Sequence, residues 1–135
     1  MPTSTVIYLG DLRCQATHTA STTEIYTDAP VDNQGKGQAF SPTDLVATAL
    51  ANCMLTIMGI SAQRHNLDIS QAKATVQKVM SADSPRRIVK IAVIIEMPKA
   101  NFSEKEQQLL ENAARACPVS KSLSAELEQD INITK

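Results

Sequence analysis

Aromatic residues are scarce in this sequence, and neither sign of charge is in excess. Aromatic side chains make up 3% of the 135 residues and tryptophan is absent, which leaves few rings for stacking on bases or enclosing ammonium groups. Lys and Arg number 13 against 14 Asp and Glu, so no basic surplus favours nucleic acid or an anionic membrane. We therefore expect the partners to be small molecules or a second copy of the chain.

Cysteine and histidine are also few, and their spacing argues against several kinds of site. The three cysteines are an odd number and include no Cys-x-x-Cys pair, so a disulfide framework is not expected. His18 and His65 lie far apart, whereas zinc ligands usually come in close pairs. No nucleophile elbow is present, and the one Gly-x-Gly, at residues 35–37, neither follows a strand nor opens a helix. The sequence predicts neither a metal nor an organic cofactor.

The apolar pattern predicts a single α+β domain over residues 1–135. Period-two alternation indicates strands, and a 3.6-residue period with capping signals indicates helices. The expected strands are 4–9, 12–19, 22–27, 70–80, 87–97 and 131–134; the expected helices are 42–61, one beginning at Ser103 and one from Pro118 to about Leu127. This order is typical of antiparallel sheets wrapped around a long buried central helix. The N-terminal residues do not resemble a signal peptide, which predicts a cytoplasmic protein.

The central helix is predicted to begin at Ser41 and Pro42. A Ser hydroxyl can accept a hydrogen bond from an unpaired amide, and Pro at the first helical position has no amide to leave unpaired. Apolar residues then go nearly all round the helix, which is typical of a helix surrounded by protein. Thr48, Asn52 and Thr56 interrupt the run, which argues against a membrane span.

The cysteines allow a functional and a structural interpretation. Cys53 lies deep in the central helix, where burial alone raises a thiol pKa and makes it inert; it is a core residue on this interpretation. Cys117 precedes Pro118 and, at a helix N-terminus, would gain amides that favour thiolate; otherwise it is a small hydrophobe in phase with Leu110. If the second helix packs on the first, the two form a dithiol. Cys14 is expected to serve packing or lie at the surface.

Residues 40–54 (FSPTDLVATALANCM) and 111–120 (ENAARACPVS) resemble the OsmC/Ohr family, the osmotically induced and organic hydroperoxide resistance proteins. The resemblance implies an OsmC-like fold and an intertwined homodimer with two active sites at the interface. It also implies that Cys53 is the peroxidatic thiol and Cys117 the resolving thiol. The substrate would be an organic hydroperoxide and the reductant an external dithiol.

The sequence departs from this family at the start of the central helix. Family members commonly have Glu directly after the helix-opening Pro, where it orients an Arg that activates the thiol; here the residue is Thr43, followed by Asp44. Arg13 is a candidate for the activating Arg. The leading hypothesis is a thiol-dependent peroxidase for organic hydroperoxides. The alternative is a weakly catalytic or non-catalytic relative that acts as a thiol sensor or binds a small apolar ligand.

Overall fold

A computed structural model describes residues 1–134 and confirms an α+β architecture with two sheets and one long helix. The strands are β1 Ser4–Gly10, β2 Arg13–His18, β3 Glu24–Asp28, β4 Lys73–Met80, β5 Ile88–Glu96 and β6 Glu128–Thr134. The helices are α1 Pro42–Arg64, α2 Glu104–Arg115 and α3 Pro118–Ser122, and a 3-10 turn covers Val31–Asn33. The chain divides into two compact units, Met1–Leu45 and the residues from Val46 onward.

The first unit is an antiparallel meander in the order β1-β2-β3. Its first turn passes through Gly10 with φ +89°, followed by Asp11 and Leu12 with positive φ, so glycine supplies the left-handed conformation that a tight turn needs. Strand β1 lies at the sheet edge and leaves a continuous apolar stretch exposed. Its exposed apolar side chains are Val6, Ile7, Tyr8 and Leu9.

The same unit ends with the first turn of α1, where Ser41 and Asp44 cap each other. The Asp44 amide donates to Ser41 Oγ at 3.0 Å, and the Ser41 amide donates to Asp44 Oδ2 at 2.9 Å. This reciprocal pair satisfies two donors that a helix start would otherwise leave unpaired. The predicted helix start is therefore confirmed, with Asp44 rather than Glu in the second capping position.

The second unit contains the remainder of α1 and the sheet β4-β5-β6, with β5 in the middle. As predicted, alternate residues of β5 face the core, and Ile91, Val93 and Ile95 are fully buried. They belong to one cluster with apolar residues of α1 and α2. The fully buried members from these two helices are Leu50, Met54, Met58, Leu110 and Ala114.

The prediction of antiparallel sheets is wrong for the last strand, because β6 pairs with β5 in parallel. Helices α2 and α3 lie between these strands in the chain, and a connection of this length brings the chain back to start again from the same end of the sheet. Strand β6 also begins at Glu128, earlier than the predicted 131. Strand β4 begins at Lys73 rather than 70, since Gln71 has φ +75° and the Ala72 amide closes a turn on Ile69.

Helix α3 is shorter than predicted and ends at Ser122 instead of near Leu127. The Ser122 hydroxyl donates to the Pro118 carbonyl at 2.8 Å, and Leu123 adopts an extended conformation with ψ 154°. Serine side chains that bond to nearby backbone groups compete with helix continuation. The short helix therefore stops after little more than one turn.

Helix α1 is longer than predicted, and in this single chain it is not buried all round. Ala47, Ala51 and Ala62 are buried, whereas Val46 and Ile60 are 39% and 43% exposed. By length and composition alone, α1 could cross a membrane, although Thr48, Asn52 and Thr56 were expected to argue against such a span. Core helices of globular proteins share those properties, and the buried side of α1 packs on the sheet and α2 in the manner of such a helix.

Candidate functional site

Cys53 lies in the middle of α1, at the border between its buried and exposed sides. Helix positions three and four residues apart share a face. On one side of Cys53 is the fully buried Leu50, and on the other are Ala49 and Thr56, which are exposed. The Cys53 side chain is itself half-buried and packs against the core cluster. It is therefore neither a sealed core residue nor a fully solvated one.

Cys117 lies at the junction between α2 and α3 and is completely buried. It has extended φ and ψ of −71° and 145°, as expected of a residue that precedes proline. Pro118 opens α3, and Cys117 is its N-cap, with Sγ accepting from the Ser120 amide at 3.4 Å. The sequence-based placement of Cys117 at a helix N-terminus is confirmed.

The structure brings Cys53 and Cys117 together. The two side chains lie close enough for Cys53 to influence the pKa of the Cys117 thiol. Burial raises the pKa of the Cys117 thiol, the Ser120 amide lowers it, and Cys53 raises it further; the net direction is upward. The amide at the helix N-terminus favours the thiolate, as expected, but loss of hydration on burial outweighs it and leaves the pKa of Cys117 raised.

Arg13, the candidate activating residue, forms a bidentate ion pair with Asp28. Its Nε and Nη2 donate to Asp28 Oδ1 and Oδ2 at 2.8 and 3.0 Å. Arg13 Nη2 also reaches Gln38 Oε1 at 3.4 Å, and the guanidinium lies 5.9 Å from the centroid of the Tyr26 ring. The arrangement holds the guanidinium in one orientation within the first unit.

Asp28 is a buried acid that the sequence interpretation missed. It is 2% exposed, and its Oδ2 also accepts from the Gln38 amide at 3.0 Å. The hydrogen bond from Arg13 lowers the pKa of this carboxyl, and the same contact raises the pKa of Arg13. The signal was available in the strand pattern, because Arg13 and Asp28 are opposite each other across β2 and β3.

The other candidate residues have structural contacts. Cys14 is half-buried in β2. His18 Nδ1 contacts the Ser21 hydroxyl at 2.6 Å, and His65 Nδ1 contacts the carbonyl of Ser61 at 2.9 Å. Within residues 1–134, no group of three or more His, Cys, Asp or Glu side chains has an arrangement suited to a metal ion.

Comparison with known proteins shows which family of proteins this chain resembles. A family model described as OsmC-like protein matches residues 35–132. No curated protein matches the chain. Among solved structures, a Psychrobacter arcticus 273-4 protein named for an osmotic stress induced and detoxification response is 50% identical, with a TM-score of 0.94. That alignment covers 99% of this chain and 96% of the other.

More distant structures share the fold. The Legionella pneumophila organic hydroperoxide resistance protein OsmC has a TM-score of 0.77 at 15% identity, over 100% of this chain and 98% of that one. OhrB of Bacillus subtilis, also an organic hydroperoxide resistance protein, has a TM-score of 0.70 at 20% identity, over 98% of each chain. The family model covers most of the sequence and the Psychrobacter protein shares half of its residues, so the chain belongs to the OsmC-like protein family.

Proposed function

We propose that the protein is a thiol-dependent peroxidase that reduces organic hydroperoxides, with Cys53 as the peroxidatic thiol and Cys117 as the resolving thiol. The contact between the two thiols is the observation that carries the proposal. Two cysteines whose side chains interact are well placed to form a disulfide. The hydroperoxide resistance named for two relatives of the same fold is consistent with this chemistry.

The reaction balances with the two cysteines alone. The Cys53 thiolate attacks the terminal peroxide oxygen, the O–O bond breaks, and the alkoxide takes a proton and leaves as an alcohol. Cys53 is then a sulfenic acid. Cys117 attacks its sulfur, a disulfide forms, and hydroxide leaves as water with the thiol proton of Cys117. An external dithiol then reduces the disulfide and becomes oxidised itself.

The difference in burial supports this order of the two thiols. Cys53 is half-buried, and a peroxide can reach it, whereas Cys117 is fully buried. Burial raises the pKa of Cys117, which disfavours the thiolate that a first attack on peroxide requires. Such a thiol is better suited to a sulfenic acid formed beside it. Cys117 therefore acts second.

The exposed side of α1 indicates an apolar substrate. Val46, Ile57 and Ile60 are on the same side of the helix as Cys53 and are half-buried or exposed. Water-exposed apolar groups next to a reactive thiol gain free energy when an alkyl chain covers them. We therefore expect hydroperoxides with an alkyl or aryl tail to react faster than hydrogen peroxide.

The exposed apolar side chains of strand β1 support a homodimer. Val6, Ile7 and Tyr8 of the edge strand β1 are each more than 60% exposed. An apolar edge strand left open to water is prone to pair with another chain, and contiguous exposed apolar residues typically mark interfaces. A second copy of the chain paired along β1 would cover these apolar side chains. The three cysteines are free, in keeping with a reducing compartment, for which we propose the cytoplasm.

The proposed function is tested by peroxide consumption with an alkyl hydroperoxide and a dithiol reductant. Cys53→Ser should abolish turnover, because no other residue replaces the attacking sulfur. Cys117→Ser should slow turnover and leave a Cys53 sulfenic acid that a dimedone probe traps. Cys14→Ser is the matched control and should retain turnover. Turnover that persists in Cys53→Ser would overturn the proposal. A disulfide that forms with negligible turnover would instead favour a thiol sensor, for which Thr43 at the usual Glu position is the motivating feature.

A further inference from the structure

The carboxamide of Gln129 on β6 contacts Ser120 of α3 at two points. The Ser120 hydroxyl donates to Gln129 Oε1 at 2.5 Å, and Gln129 Nε2 donates to the Ser120 carbonyl at 3.0 Å. Both side chains are half-buried. The pair joins the two ends of a single segment, because α3 leads directly into β6 through residues 123–127.

Ser120 is also the residue whose amide donates to Cys117 Sγ. Helix α3 has five residues. A helix of that length is not stable by itself in water, because the free-energy cost of nucleation exceeds the stabilisation from a single turn. Its conformation therefore depends on contacts with the rest of the fold. Gln129 makes such a contact on the residue that touches the sulfur.

We propose that Gln129 is a positioning residue for the resolving thiol, in that its two hydrogen bonds fix Ser120 and so hold the Ser120 amide on the Cys117 sulfur. The inference rests on the proposed function for its catalytic meaning, since resolution is the step that uses Cys117. Gln129 does not touch the reacting atoms. It acts through Ser120.

The amide matters because burial works against the nucleophile. Cys117 must lose its proton to attack the Cys53 sulfenic acid, and the buried site disfavours the anion. A hydrogen bond from an amide favours the charged form and partly offsets that penalty. If Ser120 moves, the amide leaves the sulfur, less thiolate is present at neutral pH, and disulfide formation slows. Sulfenic acid at Cys53 then persists and becomes open to irreversible over-oxidation.

The titration of Cys117 tests this directly without peroxide. In a Cys14→Ser/Cys53→Ser background, thiolate absorbance near 240 nm is followed against pH, and the curve of the variant that also lacks Cys117 is subtracted to remove tyrosine. Gln129→Leu should move the midpoint upward by about half to one pH unit, which is about three- to tenfold less thiolate at neutral pH. Asn132→Leu, an exposed position on the same strand, is the matched control and should not move it.

The rate of resolution provides the second measurement. With all three cysteines present, Gln129→Leu should slow disulfide formation about three- to tenfold in rapid-quench experiments, while sulfenic acid formation at Cys53 keeps its rate. Ser120→Ala, which removes the hydroxyl bond, should shift both measurements in the same direction by a smaller amount, and Ser120→Thr should restore them. These two variants decide the matter if Gln129→Leu does not fold.

The outcomes separate this inference from the proposed function. An unchanged Cys117 midpoint and an unchanged resolution rate in a folded Gln129 or Ser120 variant would overturn the positioning role, even if the protein is a peroxidase. A shifted midpoint in a protein that does not reduce peroxides would support the positioning of Cys117 and refute the proposed function. A fall in melting temperature with no shift in either measurement would show a merely structural contact and would also overturn the inference.

Discussion

Replacement of Ser41 by Ala tests how the long helix is started. The change removes the acceptor for the Asp44 amide and the contact of the hydroxyl with Thr43 Oγ1 at 3.2 Å. Loss of a helix N-cap typically costs ~1 kcal/mol. Ser41 is completely buried, so water cannot replace the lost hydrogen bond as it can at a surface cap. We expect the free energy of unfolding to fall by about 1–2 kcal/mol and the melting temperature by about 3–8 °C.

Helix α2 supplies the matched control, because it begins with the same kind of capping box in an exposed position. The Glu106 amide donates to Ser103 Oγ at 3.1 Å, and the Ser103 amide donates to Glu106 Oε1 at 2.9 Å. Ser103→Ala should therefore cost about 0.5–1 kcal/mol. The two variants therefore differ in burial rather than in the type of bond.

Urea unfolding followed by circular dichroism at 222 nm measures both variants, since the protein has no tryptophan to report on folding. The midpoint should fall without a change in slope. A loss of unfolding free energy in Ser41→Ala that is no larger than in Ser103→Ala would show that burial of the cap adds nothing to its contribution. Because a helix dipole acts mainly within the first turn, Ser41→Ala should leave peroxide-driven disulfide formation at Cys53 unchanged in the folded protein.

Three further predictions concern other parts of the fold. Gln107 is 6% exposed, and the described residues give its Nε2 no hydrogen-bond partner, so Gln107→Met should raise the free energy of unfolding by about 1 kcal/mol in urea; destabilisation would contradict this. Arg13 lowers the pKa of Asp28, so the unfolding free energy of the protein should exceed that of Asp28→Asn by its largest amount at pH 7, and the difference should shrink as pH falls below about 4. A difference that grows as pH falls would contradict this prediction. Ile7→Glu should halve the mass measured by light scattering, and an unchanged mass would exclude β1 from the interface.

Local signals in the sequence were sufficient for most elements of the fold. Ser41 with Pro42, and Ser103 with Glu106, marked helix starts that the structure confirms. The alternation in β5 identified its core face. These features depend on hydrogen bonds and burial within a few residues of one another, which a sequence displays directly.

Pairings and contacts between segments that are far apart in sequence were not predictable in the same way. The parallel pairing of β6 with β5 is set by the crossover through α2 and α3. The contact between Cys53 and Cys117 requires the packing of helices far apart in sequence, and spacing alone gave only its possibility. The chemistry of Cys117 was also only partly predictable. The sequence showed its position at a helix N-terminus, but it did not show the complete burial that reverses the direction of its pKa shift.

The central claim is that Cys53 and Cys117 form a redox pair, and its most direct test is a map of the disulfide by mass spectrometry. The reduced protein is mixed with less than one equivalent of an alkyl hydroperoxide, the remaining thiols are alkylated, and the peptides are identified without reduction. We predict a Cys53–Cys117 disulfide in proportion to the peroxide added, with Cys14 alkylated and no disulfide in Cys53→Ser. Loss of thiols that does not depend on Cys53, or a disulfide that includes Cys14 instead, would contradict the account.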